Sequence, residues 1–580
     1  MKLFPQPQNL TLYDSYSDAT VLQDKITVHN HNLQKQEYIL RIDHNGVTVE
    51  SSHEQGAYYA ELTLAQVIKQ QGAQIQHMLI HDYPDFEDRG VSIDVGRFRV
   101  LTLKTLYRLV DILSAVKINQ LQLYFEGFPF AYSSHPKVWK NKDVLTGEDI
   151  QALDSYCKSK FIELVPCQNG FGHMKRWLAR DEYRDLAESP EGFQMPWGYE
   201  KYCTTLDPLN PRSFELSKSL YMDILPYFSS KKINICSDET FELGKGKNKG
   251  KDPGELYFTY LMKLYSAIKE AYPDREMMFW GDVVEHHPEY ISQIPEDLVP
   301  IVWKYDPDQP TPEMFEPYKA TGGKFYICSA THTHCTLVGK TGHMKRNVDN
   351  CTKYGKQAGA VGYINTKWGD AGNWDIHSAS YLPLVYGGVQ SWNTNAVHDV
   401  VDYVSEEVFQ DKNGLMGKIA AELGDFFHFE PEEPYYNGNW IVRLLYYYQL
   451  DDADRDLDFL NLPPATEAYF DKTLAQVSKY QQLLEQVDLQ CPDREEILFE
   501  YRLAIRMILH AVQLGKYKLA QKENREALWD LYDDFQTIMA DYRKCWFMRN
   551  RNVGLDESMY RMYTLKAQYE TALGIYYVKV

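Results

Sequence analysis

The chain has 580 residues, which is too long for one compact core, and it carries a formal net charge of −20. That charge excludes partners that bind clustered Lys and Arg, so we expect neither nucleic acid nor an anionic membrane surface as a partner. Hydrophobic residues make up 44% and aromatic residues 14% of the sequence. This composition predicts a soluble globular protein with many flat apolar side chains.

The N-terminal segment and the cysteines predict a cytoplasmic protein. The opening MKLFPQPQNLTLYDS contains no apolar run long enough for a signal peptide, and no stretch of the sequence is long and apolar enough to span a bilayer. The nine cysteines are scattered and form no C-x-x-C pair. They therefore predict reduced thiols and neither a disulfide framework nor a zinc site.

Three segments with different patterns follow one another along the chain. Residues 1–85 combine short alternating segments with one helical segment, which predicts a small α+β accessory domain. Residues 86–405 contain eight short apolar runs, nearly all separated by helix-length segments, and this predicts an α/β fold with a catalytic (β/α)8 TIM barrel. Residues 406–580 contain long amphipathic segments, which predict a C-terminal α-helical domain. The eight runs lie at 89–97, 118–127, 161–173, 232–239, 275–282, 298–305, 324–331 and 360–370.

Charged and aromatic residues end almost every one of these runs, and in a TIM barrel the catalytic groups lie at the carboxyl ends of the strands. Taken singly, Arg97 has an explanation as a salt-bridged barrel residue and His173 as a hydrogen-bonded structural residue. Solvated strand ends do not select tryptophan, so the set as a whole predicts a sugar pocket. The set is Arg97, Glu126, His173, Asp238, Glu239, Trp280, Asp282, Trp303, Tyr305, Trp368 and Asp370.

The adjacency of Asp238 and Glu239 restricts the chemistry. A retaining glycosidase that uses two carboxylates needs them on opposite sides of the anomeric carbon, with oxygens about 5–5.5 Å apart. Neighbouring residues at one strand end lie on the same side of a pocket. The pair therefore suits a mechanism in which the substrate supplies its own nucleophile.

Four segments resemble glycoside hydrolase family 20, the β-N-acetylhexosaminidases. IHDYPDFEDRGVSIDVGR resembles the family's approach to its first barrel strand, NICSDETFELGKG its catalytic fourth strand, and GYINTKWGDAGNW its last barrel strand. GAYYAELTLAQVIKQ resembles the helix of its N-terminal accessory domain. The similarity covers most of the chain and is greatest to a compact intracellular bacterial branch with a helical C-terminal domain.

The resemblance implies an exo-acting, retaining hydrolase that releases terminal β-linked GlcNAc or GalNAc through an oxazolinium intermediate. Glu239 would then be the general acid and base, and Asp238 would hold the acetamido N–H. No cofactor or metal is implied. The expected partner is a small oligosaccharide or glycan fragment with a terminal N-acetylhexosamine, and a homodimer is compatible with the resemblance.

The remaining pocket residues receive roles from the same resemblance. Trp280, Trp303 and Trp368 would wall the acetamido methyl group, and Tyr305 would donate to the acetamido carbonyl. Arg97 and Asp370 would bind ring hydroxyls. Glu126 and His173 would form a supporting hydrogen-bonded pair beside the acid.

The sequence departs from the family at two places, which leaves two alternatives open. The family usually has glycine-rich residues before the Asp-Glu pair, whereas this chain has Cys236 and Ser237. If these residues displaced the carboxylates, the protein would be a catalytically weak sugar-binding protein. The seventh run continues into THTHC, which places His332 or His334 near the sugar and allows a metal-dependent hydrolase that uses one of them with His173 and Asp238.

Overall fold

The computed structural model describes residues 1–196, 201–397, 399–430, 439–448, 465–520 and 524–575. In chain order it contains a sheet with one helix, a closed parallel barrel and a group of helices. Across these described ranges, none of the helices has the length and apolar character required to cross a membrane.

The N-terminal unit is a five-stranded sheet covered on one face by a helix. Tyr59, Leu64 and Val67 on the inner side of the helix are buried in one apolar cluster with the sheet. The first strand pairs with the fifth, which pairs with the third, then the fourth and the second. The strands are Asn9–Asp18, Lys25–His29, Tyr38–Asp43, Gly46–Ser51 and Gln74–Asp82, and the helix is Glu54–Gln71.

Each of the eight predicted runs overlaps one strand of a closed barrel, so the predicted TIM barrel is confirmed. All eight pairings are parallel, and the barrel closes where Gly362 of the eighth strand lies opposite Asp88 of the first. The barrel strands, first to eighth, are Asp88–Asp94, Gln120–Phe125, Glu163–Gln168, Lys232–Asn234, Glu276–Trp280, Leu298–Trp303, Tyr326–Ala330 and Gly362–Lys367.

The helices around the barrel begin at residues suited to that position. Thr102 accepts a hydrogen bond from the Thr105 N–H, and Thr146 forms a reciprocal capping box with Asp149. Proline, which lacks an N–H, occupies the first position of two further helices. The main helices of the barrel are Leu103–Ala115, Gly147–Ser159, Pro211–Ile224, Pro253–Ala271, Glu316–Thr321, Thr341–Ala358 and Tyr381–Trp392.

Long helices dominate the described part of the chain after residue 405, as the sequence predicts. Their apolar faces join the barrel helices in one continuous core. We place the domain boundaries, as a proposal, after residues 85 and 405. The main helices of this part are Met416–Glu422, Glu467–Leu484, Arg494–Leu519, Arg525–Arg549, Leu555–Ser558 and Tyr560–Leu573.

Candidate active site

The fourth barrel strand leads into a segment of left-handed backbone that carries the Asp-Glu pair. Cys236, Ser237 and Glu239 have φ angles of 56°, 70° and 54°. This region suits glycine and costs other residues about 1–2 kcal/mol each. The glycine-rich residues that the family resemblance places before the pair fit this conformation. In this chain Cys236 and Ser237 adopt the same conformation, and both are fully buried.

Both carboxylates of the pair face the imidazole of His173. His173 Nε2 lies 3.2 Å from Asp238 Oδ2 and 3.1 Å from Glu239 Oε2. The residue before His173 must be glycine, because a Cβ on Gly172 would lie 2.0 Å from the Asp238 carbonyl oxygen. Since both carboxylates reach His173, Cys236 and Ser237 do not displace them from the pocket. The condition that favoured a catalytically weak sugar-binding protein is therefore not met.

Electrostatics favour an ionised Asp238. Burial alone would raise the pKa of Asp238, but His173, with help from Arg97, outweighs burial and lowers that pKa below its ordinary value. Asp238 Oδ1 also accepts a hydrogen bond from Asn169 Nδ2 at 3.0 Å. Conversely, burial lowers the pKa of His173, but Asp238 and Glu239 outweigh it and raise that pKa well above its ordinary value.

Arg97 holds two other pocket carboxylates. Its Nε donates to Glu126 Oε2 and its Nη1 to Asp370 Oδ1, each at 3.0 Å. The expected hydrogen bond between Glu126 and His173 is not formed, since Glu126 Oε2 and His173 Nδ1 are 3.8 Å apart. The reason is competition, because the same Glu126 oxygen accepts hydrogen bonds from Arg97 and from the Tyr124 hydroxyl at 2.9 Å.

The predicted aromatic residues meet in one group at the barrel mouth. Trp280 and Trp368 have ring centroids 5.7 Å apart, and Trp303 stacks on Tyr305 at 5.0 Å. Trp368 Nε1 donates to the Tyr305 hydroxyl at 3.0 Å, which joins the two pairs. Burial raises the pKa of Tyr305 well above its ordinary value, so its hydroxyl keeps a proton at neutral pH.

The histidines after the seventh strand do not join the Asp-Glu pair in a group of ligand atoms. The His334 ring lies 6.4 Å from Tyr305, and the His332 ring packs 5.9 Å from that of His334. Burial lowers the pKa of His334 to about 4 and that of His332 well below its ordinary value, so both are neutral at neutral pH. Among the described residues, only His173, Asp238 and Glu239 group their ligand atoms within 4.8 Å, and this group does not include the predicted third ligand.

The C-terminal helical part of the chain forms hydrogen bonds with the loops that carry Arg97 and Asp370. The sequence analysis did not predict these contacts. The Ser558 hydroxyl donates to the Gly372 carbonyl, and Trp374 Nε1 donates to the Ser558 carbonyl at 2.9 Å. On the other loop, the Arg551 N–H donates to the Val100 carbonyl at 2.7 Å. The helical part therefore belongs to the structure that shapes this side of the pocket.

Three polar residues that contact the proposed site residues received no specific role in the sequence analysis: Asn169 and Tyr124, which are not in the predicted set, and Asp282, which is. Asn169 contacts Asp238, Tyr124 contacts Glu126, and Asp282 contacts Glu239. Asp282 stands at a predicted strand end, and Asn169 directly follows the third strand. Their position near strand ends was the only sequence feature that could have indicated a role. Their hydrogen-bond partners depend on how neighbouring strands meet and could not be predicted.

Solved structures with the same fold include glycoside hydrolases. Flavobacterium johnsoniae chitobiase aligns over 98% of this chain and 99% of its own, with 15% identity and a TM-score of 0.57. The Vibrio harveyi GH20 exo-β-N-acetylglucosaminidase in complex with N-acetylglucosamine aligns over 73% of this chain and 78% of its own, with 15% identity and a TM-score of 0.55. At these identities the similarity establishes the shared fold.

Several proteins of similar sequence are named β-hexosaminidases. Caenorhabditis elegans β-hexosaminidase A is 23% identical over 279 residues, which cover 43% of this chain and 49% of that protein. Coccidioides posadasii β-hexosaminidase 1 is 22% identical over 323 residues, covering 50% of this chain and 54% of that protein. The chain thus spans about half the length of these relatives.

Two family models match consecutive parts of the chain. The model described as glycosyl hydrolase family 20, catalytic domain, matches residues 86–331, and that described as glycosyl hydrolase family 20, domain 2, matches residues 2–83. The catalytic match begins with the first barrel strand and includes the Asp-Glu pair and its histidine. Because the two matches together take in more than half of the sequence, the chain belongs to glycosyl hydrolase family 20.

Proposed function

We propose that the protein is an exo-acting, retaining β-N-acetylhexosaminidase that releases terminal β-linked GlcNAc or GalNAc. The observation that carries this proposal is the shared approach of Asp238 and Glu239 to His173 Nε2, at 3.2 and 3.1 Å, at the carboxyl end of the fourth strand. The aromatic group beside the pair supports a sugar substrate, because indole rings pack on pyranose faces and on methyl groups.

In the proposed reaction the 2-acetamido carbonyl oxygen attacks the anomeric carbon and forms a bicyclic oxazolinium. Glu239 gives its proton to the leaving glycosidic oxygen, and the Glu239 carboxylate then takes a proton from the water that opens the ring. Asp238, which is ionised, accepts a hydrogen bond from the acetamido N–H and stabilises the positive charge of the intermediate. Two displacements at one carbon retain the anomeric configuration.

The other acidic side chains of the pocket are already hydrogen-bonded within the protein, which supports a mechanism in which the substrate supplies the nucleophile. Glu126 and Asp370 are bonded to Arg97, and Asp282 accepts from the Glu239 N–H at 3.0 Å. A carboxylate that is held in this way is a poor nucleophile. The acetamido group, positioned beside Asp238, does not have this restriction.

Arg97 and Asp370 are proposed to bind hydroxyls at the non-reducing end of the sugar, and Tyr305 to donate to the acetamido carbonyl. Trp280, Trp303 and Trp368 would surround the acetamido methyl group. Such a pocket admits a single terminal residue, so the proposed substrate is a small glycan fragment that ends in an N-acetylhexosamine. All nine cysteines are free, which supports the proposal that the enzyme acts in the reducing cytoplasm.

We expect the purified protein to hydrolyse nitrophenyl β-GlcNAc or β-GalNAc and to shorten a chitooligosaccharide by one sugar at a time. The products are to be followed by mass spectrometry, and native activity is expected in the cell lysate. Release of internal fragments would contradict the exo-acting pocket. Loss of activity on treatment with a chelator would instead favour a metal bound by His173, Asp238 and Glu239.

A further inference from the structure

A single carboxyl group connects the backbone of the proposed acid to a wall of the pocket. Asp282 begins a short helix directly after the fifth barrel strand. Its Oδ2 accepts a hydrogen bond from the Glu239 N–H at 3.0 Å, and its Oδ1 accepts from Trp303 Nε1 at 3.4 Å. The segments after the fourth and fifth strands and the end of the sixth strand therefore meet at this one side chain.

Glu239 needs such support, because its backbone is in the left-handed region with φ of 54°. A residue that is not glycine keeps this conformation only where its surroundings compensate for the cost. The Glu239 carbonyl accepts from the Phe241 N–H at 2.9 Å, which secures one side of the residue. Asp282 secures the other side, through the N–H.

We propose that Asp282 is a positioning residue, which holds the backbone of Glu239 so that the acid reaches the glycosidic oxygen. The inference rests on the proposed function. It adds a determinant of proton transfer that lies outside the Asp-Glu pair and its histidine.

The surroundings of Asp282 favour its protonated form. Burial, followed by the neighbouring Asp238 and Glu239 carboxylates, raises the pKa of Asp282 well above its ordinary value. A raised pKa favours the protonated form, which adds no third negative charge beside the pair. An amide has nearly the same shape and one acceptor oxygen, so the conservative variant Asp282→Asn can keep the hydrogen bond from the Glu239 N–H, whereas its nitrogen cannot accept from Trp303 Nε1.

Asp282→Ala removes both acceptor oxygens and is expected to lower kcat about 10²-fold on a chitooligosaccharide, whose leaving group needs protonation. The loss on a nitrophenyl glycoside is expected to be smaller, and KM is expected to change little, since the residues proposed to touch the sugar remain. Asp282→Asn is expected to recover most of the loss. Asp308→Asn, an exposed residue on the loop after the sixth strand, is the matched control.

Binding of a thiazoline analogue of the intermediate, measured by inhibition, separates positioning from a general collapse of the pocket. We expect Asp282→Ala to bind it as tightly as the wild type does, and weakened binding would overturn the inference. A kcat that Asp282→Ala leaves unchanged, or that Asp282→Asn fails to recover, would also overturn it. If Asp282→Ala does not fold, Asp282→Ser, which is too short to reach Glu239, provides the same comparison. Hydrolysis by the wild type tests the proposed function separately, whereas the ratios among variants test Asp282.

Discussion

Glu239→Gln is expected to keep the fold and to lower the turnover of substrates with poor leaving groups by about 10²–10⁴-fold, the usual contribution of a general acid. Glutamine has nearly the same shape and can keep the contact with His173 Nε2, which lies 3.1 Å from Glu239 Oε2. It has no acidic proton to give to the leaving oxygen. Activated aryl glycosides need little protonation, so their first step is expected to be affected less.

The measurement is kcat for a chitooligosaccharide and for a nitrophenyl glycoside, in the wild type and in the variant. Glu289→Gln is the matched control, because the Glu289 side chain is 60% exposed on the loop after the fifth strand and has no proposed role in the pocket. Equal losses for both leaving groups would count against Glu239 as the general acid.

Asp238→Asn is expected to lower kcat on N-acetyl substrates by about 10²–10³-fold, as the loss of one preorganised electrostatic contact does in other enzymes. The change removes the negative charge that faces the oxazolinium. It also disturbs a local pattern of hydrogen bonds, because Asn169 Nδ2 donates to Asp238 Oδ1 at 3.0 Å and an amide nitrogen cannot accept.

The same variant is expected to lower the pKa of His173, since Asp238 is the main group that raises it against the effect of burial. Nuclear magnetic resonance titration of the His173 ring measures this shift, and circular dichroism monitors the fold. Asp308→Asn serves as the control. Wild-type kcat in Asp238→Asn, or an unchanged His173 pKa, would contradict the proposed contact.

The barrel and the positions at its mouth were predictable because they depend on local patterns. Apolar runs separated by amphipathic segments define strands and helices, and parallel strands bring their carboxyl ends to one rim. For that reason the predicted aromatic residues Trp280, Trp303, Tyr305 and Trp368 do meet in one group.

The partners of each polar side chain were not predictable in the same way. Glu126 has three neighbours that could share one oxygen, and angstrom-scale distances decide that Arg97 and Tyr124 bind it and His173 does not. The contact of Ser558 with the barrel was even less predictable from a sequence pattern. It lies 186 residues from Gly372, whose carbonyl accepts a hydrogen bond from its hydroxyl, and no periodicity connects the two.

The central claim, that the substrate supplies the nucleophile, is tested most directly by the ratio of kcat/KM for nitrophenyl β-GlcNAc and nitrophenyl β-glucoside. The two substrates share a leaving group and differ only at the second carbon of the sugar. A well-placed intramolecular group contributes about 7–11 kcal/mol to a reaction, so loss of even part of this is expected to slow the glucoside by several orders of magnitude. Comparable kcat/KM values for the two substrates would contradict the mechanism.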